Sequence, residues 1–261
     1  MRVIKDSDKI NILNNLSHEL PQIIQNFNKM DIKEIEPTTQ NIVENIYEED
    51  LSIVINELVN LYFSMANEGK EEDVRKQHIL NYIDDHKINL REIYYWLLNH
   101  QDDSNSIYLL GYFNYYGIET EISKDKALSF YKKAVELEND VARYNLAKMY
   151  LDGDGVEINH VMVFELSKKL ADKEYLAGIN RLGYCYDCGI GTDVDVQKAF
   201  ELYQKGANLG NSIAQYNVAL MYEYGKGIKN DMDLAIFWYK KSAEQGDTYS
   251  KKRLLFLVGA Y

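Results

Sequence analysis

A single glycine position recurs through the second half of the chain at a constant interval. The glycines are 36 residues apart, at Gly117, Gly153, Gly189 and Gly225. Two positions after them stand Glu119, Gly155, Gly191 and Gly227. A period of this length is typical of stacked helical repeats, in which each unit buries its apolar face only against its neighbours.

The residues around each glycine predict two helices per repeat. Seven positions before the glycine the side chain is apolar, in Leu110, Leu146, Leu182 and Val218. Six positions after it stands a residue that favours a helix start, in Ser123, Asn159, Asp195 and Asp231. A glycine can end the first helix and such a residue can begin the second. In the first repeat we expect these helices near residues 106–116 and 124–137.

Four such units predict an all-α protein, an α-α superhelix built as a solenoid of helix-turn-helix repeats with an N-terminal helical cap region. We expect four repeats and a C-terminal capping helix at residues 102–261, and a separate helical region at 1–101. The second repeat departs from the others at Val163, Ser167 and Leu170, so we expect irregular packing there.

This pattern resembles the Sel-one-like repeats, which are relatives of the tetratricopeptide repeats. The fourth copy carries the resemblance best, in Tyr216, Gly225, Gly227, Trp238 and Tyr239. The resemblance covers residues 102–261. It implies a scaffold or adaptor that binds other proteins, in signalling or in protein quality control, and it implies no chemistry.

In tetratricopeptide-like stacks the first helices line the concave surface, so four offsets from the turn glycine (−9, −5, −2 and −1) should face inward. Tyrosine is a favoured residue for binding, because it buries a large area and still makes a hydrogen bond. The alternative is that the tyrosines at −9 only pack between repeats. The predicted protein-binding residues are Tyr108, Tyr112, Tyr115, Tyr116, Tyr144, Lys148, Asp152, Tyr184, Asp187, Tyr216, Glu223 and Tyr224.

Charge and hydropathy narrow the choice of partner to another protein or a peptide segment. The chain has 29 Lys and Arg against 41 Asp and Glu, a net charge of −12, which disfavours binding to nucleic acid. Charged residues interrupt every apolar stretch before the roughly 18 residues that suggest a membrane span. With no apolar stretch of signal-peptide type at the N-terminus, we predict a cytoplasmic location and no membrane partner.

Cys185 and Cys188 form a Cys-x-x-Cys pair. In other proteins such a pair can bind zinc or carry out redox chemistry. Zinc requires two further ligands, and the sequence has no second cysteine pair. In the repeat frame Cys185 falls on a core position and Cys188 on a variable one. The five histidines are scattered and no carboxylate pair stands out, so we predict no catalytic residue, metal or cofactor.

The predicted function is therefore a non-catalytic adaptor or scaffold in signalling that binds a partner in the concave groove. Two alternatives stay open. Because similar repeats follow a protein kinase domain in some fungal families, the chain could be the C-terminal regulatory module of a kinase-like protein, although it contains no kinase motifs itself. A repeat-fold hydrolase is the more remote alternative. Such relatives carry paired cysteines in every repeat, whereas three of the four repeats here have none.

The N-terminal region has no glycine period but shows helical spacing of apolar residues. We expect one helix at about 8–30 and a second from Ile42 to Met65, broken near 48–50 and ended by Gly69. A flexible linker is predicted at 31–39, between these two helices.

Two shorter helices are expected at 71–84 and 90–99. They resemble a degenerate repeat that caps the solenoid, with Val74 at the leucine position and Tyr95 at the tyrosine position. The alternative function for the whole region is a docking arm that packs on a helix of a partner.

Overall fold

The computed structural model describes residues 37–257 and Gly259, with side chains described from Leu51 onward. In this part of the chain there are twelve α-helices and no strand, as the sequence predicts. The helix expected at 8–30 and most of the expected linker lie outside the described residues.

Three helices precede the repeats, each repeat contributes two helices of thirteen residues, and one helix follows. The first three are α1 (Pro37–Glu68), α2 (Glu72–Asp85) and α3 (Leu90–Asn99). The first helices of the four repeats are α4 (Ser104–Tyr116), α6 (Asp140–Asp152), α8 (Leu176–Cys188) and α10 (Ser212–Tyr224). Their second helices are α5 (Lys124–Glu136), α7 (His160–Asp172), α9 (Val196–Asn208) and α11 (Met232–Glu244). The last helix is α12 (Thr248–Leu257).

The turn between the two helices of a repeat has the predicted construction. Gly153 takes the left-handed conformation (φ 70°), and its N–H donates to the Met149 carbonyl at 3.0 Å. The side chain of Asn159 then accepts a hydrogen bond from the Met162 N–H at 3.1 Å and begins α7. The same arrangement ends α4, α8 and α10 and begins the second helix that follows each.

The second glycine of the turn is required by a close approach between neighbouring repeats. A Cβ atom added to Gly191 (φ +68°) would lie 2.2 Å from the His160 carbonyl oxygen at the start of α7. The turn of the third repeat therefore packs directly on the second helix of the repeat before it. In the first repeat Glu119 adopts the same left-handed conformation, with φ 53°.

The second repeat has helices of regular length, but its two helices pack less extensively on each other than those of the other three repeats, as its departures from the repeat pattern predict. Val163, Ser167 and Leu170 are all buried in α7, which has the same length as the other second helices. The Ser167 hydroxyl, which replaces a tyrosine, donates to the Val163 carbonyl at 2.7 Å. A small polar side chain is tolerated in the core because its hydrogen bond stays within the helix.

The predicted break in the N-terminal helix is wrong, because α1 continues without interruption from Pro37 to Glu68. Pro37 is its first residue, where the missing N–H of proline costs no helical hydrogen bond. Residues 37–39 thus belong to the helix and not to a linker. Gly69 (φ 81°) ends the helix as predicted, and α2 and α3 lie close to their predicted bounds.

Helices α2 and α3 do not use the buried positions of a repeat. Val74 and Tyr95 are 40% and 53% exposed, whereas their counterparts Leu110 and Tyr131 are buried. Helix α2 packs on α1, and α3 packs on α1 and α4. The division of the chain into two regions at residue 101 stays a prediction.

Helix α1 lies across the surface formed by the first helices of the repeats, which we call the inner face. The ring of Tyr62 is 5.5 Å from that of Tyr112, and its hydroxyl donates to Asn145 Oδ1 at 2.9 Å. Phe63 packs on Tyr175 in front of α8, with 4.6 Å between the ring centroids. The helix thus connects the first repeat to the third.

Helix α1 also caps a helix of the solenoid. The other repeats begin their first helix with a side-chain cap, from Asp103, Asn139 or Asn211. Tyr175 occupies this position before α8 and supplies no cap. Asn67 of α1 replaces it, because its Oδ1 accepts a hydrogen bond from the Ala177 N–H at 3.1 Å.

We predict that Asn67→Ala lowers the free energy of unfolding by about 0.5–2 kcal/mol, the usual effect of losing an N-cap. Urea denaturation followed by circular dichroism would measure it. Asn60→Ala is the matched control, since Asn60 is an exposed residue of the same helix. Equal stability of the two variants would contradict a capping role for Asn67.

We also predict that Gly191→Ala destabilises the fold by about 1–3 kcal/mol more than Gly210→Ala. Both glycines have positive φ, but an added Cβ meets nothing within 4 Å at Gly210 and a carbonyl oxygen at Gly191. The comparison therefore separates the close approach from backbone strain. Thermal unfolding of the two variants would test it, and similar melting temperatures would show that the turn can move aside.

Candidate protein-binding surface

In the first two repeats the inner face is covered by the chain itself. The predicted binding residues Tyr108 and Tyr112 are fully buried beneath Tyr62 of α1. The hydroxyl of Tyr108 accepts a hydrogen bond from Asn145 Nδ2 at 3.1 Å, and Asn145 in turn accepts from Tyr62. These tyrosines therefore form an internal contact between α1 and the repeats.

The start of α2 covers the neighbouring part of the inner face through Arg75, which is only 3% exposed. Its Nη1 donates to the hydroxyl of Tyr144 at 3.1 Å. Tyr144 is another of the predicted binding residues. The guanidinium of Arg181 lies over its ring, 4.4 Å from the ring centroid. Burial by itself would raise the pKa of Tyr144, but the two guanidinium charges outweigh it and lower the pKa to about 8.

Glu72 of α2 enters a recess between the first helices of repeats 1 and 2. Its carboxylate accepts a hydrogen bond from the Tyr116 hydroxyl and lies 2.9 Å from Lys148 Nζ. Burial would raise the pKa of Glu72, but these two partners outweigh it and hold the pKa below its usual value. Lys148 also pairs with the half-exposed Asp152 at 3.2 Å. Little space is left in this recess, with a cavity volume of about 10 Å³.

Tyr115 is buried and points to the turn of the second repeat. Its hydroxyl donates to Asp154 at 2.5 Å, and Lys124 Nζ lies 3.0 Å from both the Asp154 carboxylate and the centroid of the Tyr115 ring. Like the other predicted tyrosines of the first two repeats, Tyr115 is held by side chains of its own chain.

Among the described residues, α1 and α2 leave part of the inner face of the third and fourth repeats uncovered. The predicted residues Tyr184 and Tyr224 are 40% and 65% exposed. Beside Tyr224 lies a second recess, which is partly open to solvent and has a cavity volume of about 200 Å³. It is lined by Asp187, Tyr203, Asn217, Leu220, Met221, Tyr224 and Lys226.

An ion pair closes one side of this second recess, with Asp187 Oδ1 2.7 Å from Lys226 Nζ. The predicted set contained Asp187 but lacked Lys226. Lys226 directly follows the turn glycine Gly225. The sequence could have indicated it only through this position in the turn, which brings the residue back toward the first helix.

The last two predicted residues contact α12 and α11. Glu223 is buried, and its carboxylate accepts hydrogen bonds from Tyr239 at 2.7 Å and from Arg253 Nε at 3.0 Å. The contact with Arg253 is the main reason why the pKa of Glu223 is lowered. Tyr216 is half-buried, with its ring between those of Tyr239 and Tyr249. Glu223 therefore holds the capping helix in place.

The cysteine pair has the positions that the repeat frame predicts. Cys185 is buried, which raises the pKa of its thiol to about 11, and Cys188 is exposed. Among the side chains that the structure describes, from residue 51 to 257, no group of three or more His, Cys, Asp or Glu could hold a metal ion. Between residues 37 and 257 no helix is both long and apolar enough to cross a membrane.

We predict that Tyr144 contributes stability that increases with pH between about 8 and 10. In this window the folded protein has lost the Tyr144 proton, whereas the unfolded chain, with an ordinary pKa of 10.0, still binds it. The free energy of unfolding therefore rises with pH, and the contribution is lost as pH falls below about 8. Relative to Tyr144→Phe, the gain should reach up to roughly 3 kcal/mol.

Urea denaturation of both proteins across this pH range would measure the difference. Tyr203→Phe is the control, because Tyr203 is equally buried but its pKa is raised. A difference between the wild type and Tyr144→Phe that does not change with pH would contradict the effect of the two arginines.

Comparison with known proteins agrees with the repeat geometry. The Sel1 repeat pattern matches residues 104–139, 140–175, 176–211 and 212–247, which together are more than half of the chain. No curated protein sequence gives a significant match.

The solved structures that are similar to this chain include two Sel1-type repeat proteins. A Sel1 repeat protein from Oxalobacter formigenes has a TM-score of 0.59 and 26% identity, over 67% of this chain and 75% of that one. A protective antigen of uropathogenic Escherichia coli strains, which displays an SLR fold, has a TM-score of 0.58 and 25% identity over 68% of this chain. The match spans only 39% of that antigen. With four matched repeats and this fold, the chain belongs to the Sel1 repeat family.

Proposed function

We propose that this protein is a non-catalytic adaptor that binds a segment of another protein on the open inner face of repeats 3 and 4. Sel1 repeat proteins generally mediate protein–protein interaction and are typically non-catalytic scaffolds. The observation that supports the location is the contrast along the inner face. Repeats 1 and 2 are covered by α1 and α2, whereas repeats 3 and 4 expose Tyr184 and Tyr224.

Helix α1, which covers the inner face of repeats 1 and 2, is part of the hydrophobic core and not a loosely bound arm. Ile55, Leu58 and Tyr62 of α1 are all buried. Each such side chain stabilises the folded state by about 1.5–3 kcal/mol on burial, so displacing α1 would cost more than most partners supply. A partner therefore has access to the third and fourth repeats and not to the first two.

The open surface has the composition of a binding site. Tyr184 and Tyr224 combine a large apolar ring with a hydroxyl, and tyrosine is enriched among residues that dominate binding energies. Arg253 Nη2 donates to the Tyr224 hydroxyl at 2.8 Å, which limits the motion of the ring before any partner binds. A pre-ordered aromatic side chain loses less conformational entropy on binding.

A role in signalling and a cytoplasmic location stay predictions of the sequence. The same holds for the alternative that the chain is the regulatory module of a kinase-like protein. In every one of these cases the proposed contact surface is the same.

Affinity capture with three baits would test the proposed function. The baits are the intact chain, the double variant Tyr184→Ala with Tyr224→Ala, and a control, Tyr95→Ala with Val161→Ala. The control removes two exposed side chains outside the inner face. We expect a protein that binds the intact chain and the control but binds the inner-face variant at least about tenfold more weakly, since hot-spot residues contribute 2 kcal/mol or more.

All three baits should first show the same helical content and melting temperature. Equal affinity of the captured protein for the intact chain and for the Tyr184 and Tyr224 double variant would place the binding surface elsewhere and contradict the proposal.

A further inference from the structure

The two recesses of the inner face occupy equivalent positions in the repeat frame. Five residues that line the first are matched, two repeats of 36 residues later, by five that line the second. The pairs are Tyr115 with Asp187, Tyr131 with Tyr203, Asn145 with Asn217, Lys148 with Leu220 and Met149 with Met221. The second recess is therefore a repeat of the first and not an accident of surface shape.

The contacts at the edge of the recess are repeated as well. In the first recess Tyr115 donates to Asp154, and in the second Asp187 pairs with Lys226. Both contacts join the offsets −2 and +1 of consecutive turns. The two recesses thus share a backbone frame and an edge contact, and they differ in side-chain chemistry.

The first recess shows that a side chain from outside the repeats can bind at this position, because it already holds one. Glu72 enters it from the first turn of α2 and finds two partners, the Tyr116 hydroxyl and the Lys148 ammonium. A carboxylate in a half-buried site needs such partners, since its desolvation is otherwise unfavourable.

Both partners of the carboxylate are replaced in the second recess. Cys188 stands where the first recess has Tyr116, and Leu220 stands where it has Lys148. The nearby cation, Lys226, is already paired with Asp187. Leu220 and Met221 instead give the second recess apolar walls, and its volume is larger, about 200 Å³ against 10 Å³.

We propose that the recess between repeats 3 and 4 binds one large apolar side chain, such as leucine, methionine or phenylalanine, from a protein partner. The partner segment inserts this side chain where Glu72 inserts its carboxylate in the first recess. An acidic side chain is excluded, because Leu220 offers no charge to receive it and Lys226 is already paired with Asp187. This inference rests on the proposed function and adds the chemistry of the partner to it.

Selection of short random peptides displayed on phage, with the intact protein as target, would test the inference. We expect the selected peptides to share one position occupied by leucine, methionine or phenylalanine. A synthetic copy of a selected peptide should bind Leu220→Lys at least about tenfold more weakly than the intact protein. Leu98→Lys is the matched control, since Leu98 is an exposed leucine of α3 outside the recess, and it should leave binding unchanged.

An exchange of charge gives a second readout. Replacing the shared apolar residue of the peptide by glutamate should abolish binding to the intact protein. The same peptide should bind Leu220→Lys, because this variant restores the cation that Lys148 supplies in the first recess. If Leu220→Lys does not fold, Leu220→Gln serves for the loss of binding, and its effect should be at least about fivefold.

The outcomes separate this inference from the proposed function. Peptides that require Tyr184 and Tyr224 but bind Leu220→Lys and the intact protein equally would overturn the inference and leave the function standing. Selected peptides that share an acidic residue instead would do the same. Peptides unaffected by any of these substitutions, or a failure to select any, would contradict both.

Discussion

The structure depends on the packing of α1 across the first helices of the repeats. Tyr62 is buried among the tyrosines of repeat 1, Phe63 packs in front of repeat 3, and Asn67 supplies the cap that Tyr175 cannot. The chain beyond Gly69 then enters the inner face with Glu72. A repeat stack normally buries its core only between neighbouring units, so contacts that span three repeats add cooperativity that the stack alone lacks.

This packing gives equivalent positions of the repeats different roles. Lys148 and Leu220 stand at the same offset and line the same kind of recess, yet Lys148 pairs with a carboxylate of α2 and Leu220 forms an apolar wall. The first two repeats have become an internal binding site with the N-terminal region as the ligand. In the last two repeats Tyr184 and Tyr224 are exposed on the inner face, and this is the surface where we propose that a partner binds.

Features that depend on neighbouring residues could be predicted from the sequence. The turn at Gly153 and the cap at Asn159 follow from backbone conformation and short-range hydrogen bonds, and both are confirmed. The expected break in α1 near 48–50 is not found, because acidic residues do not interrupt a helix that is packed along one side. The sequence contains one sign that α8 needs a cap from elsewhere in the chain. Tyr175 stands where Asn139 and Asn211 cap the equivalent helices of other repeats.

The sequence by itself determined the number of repeats, their helices and turns, and the membership of the family, because these rest on a period of 36 residues and on local chemistry. It also placed Tyr112 and Tyr184 at the same inward-facing offset. Only the tertiary structure decided that Tyr112 is buried and Tyr184 is exposed. The difference comes from α1, whose position is set by contacts with residues far away in the chain, and no pattern within a single repeat records such contacts.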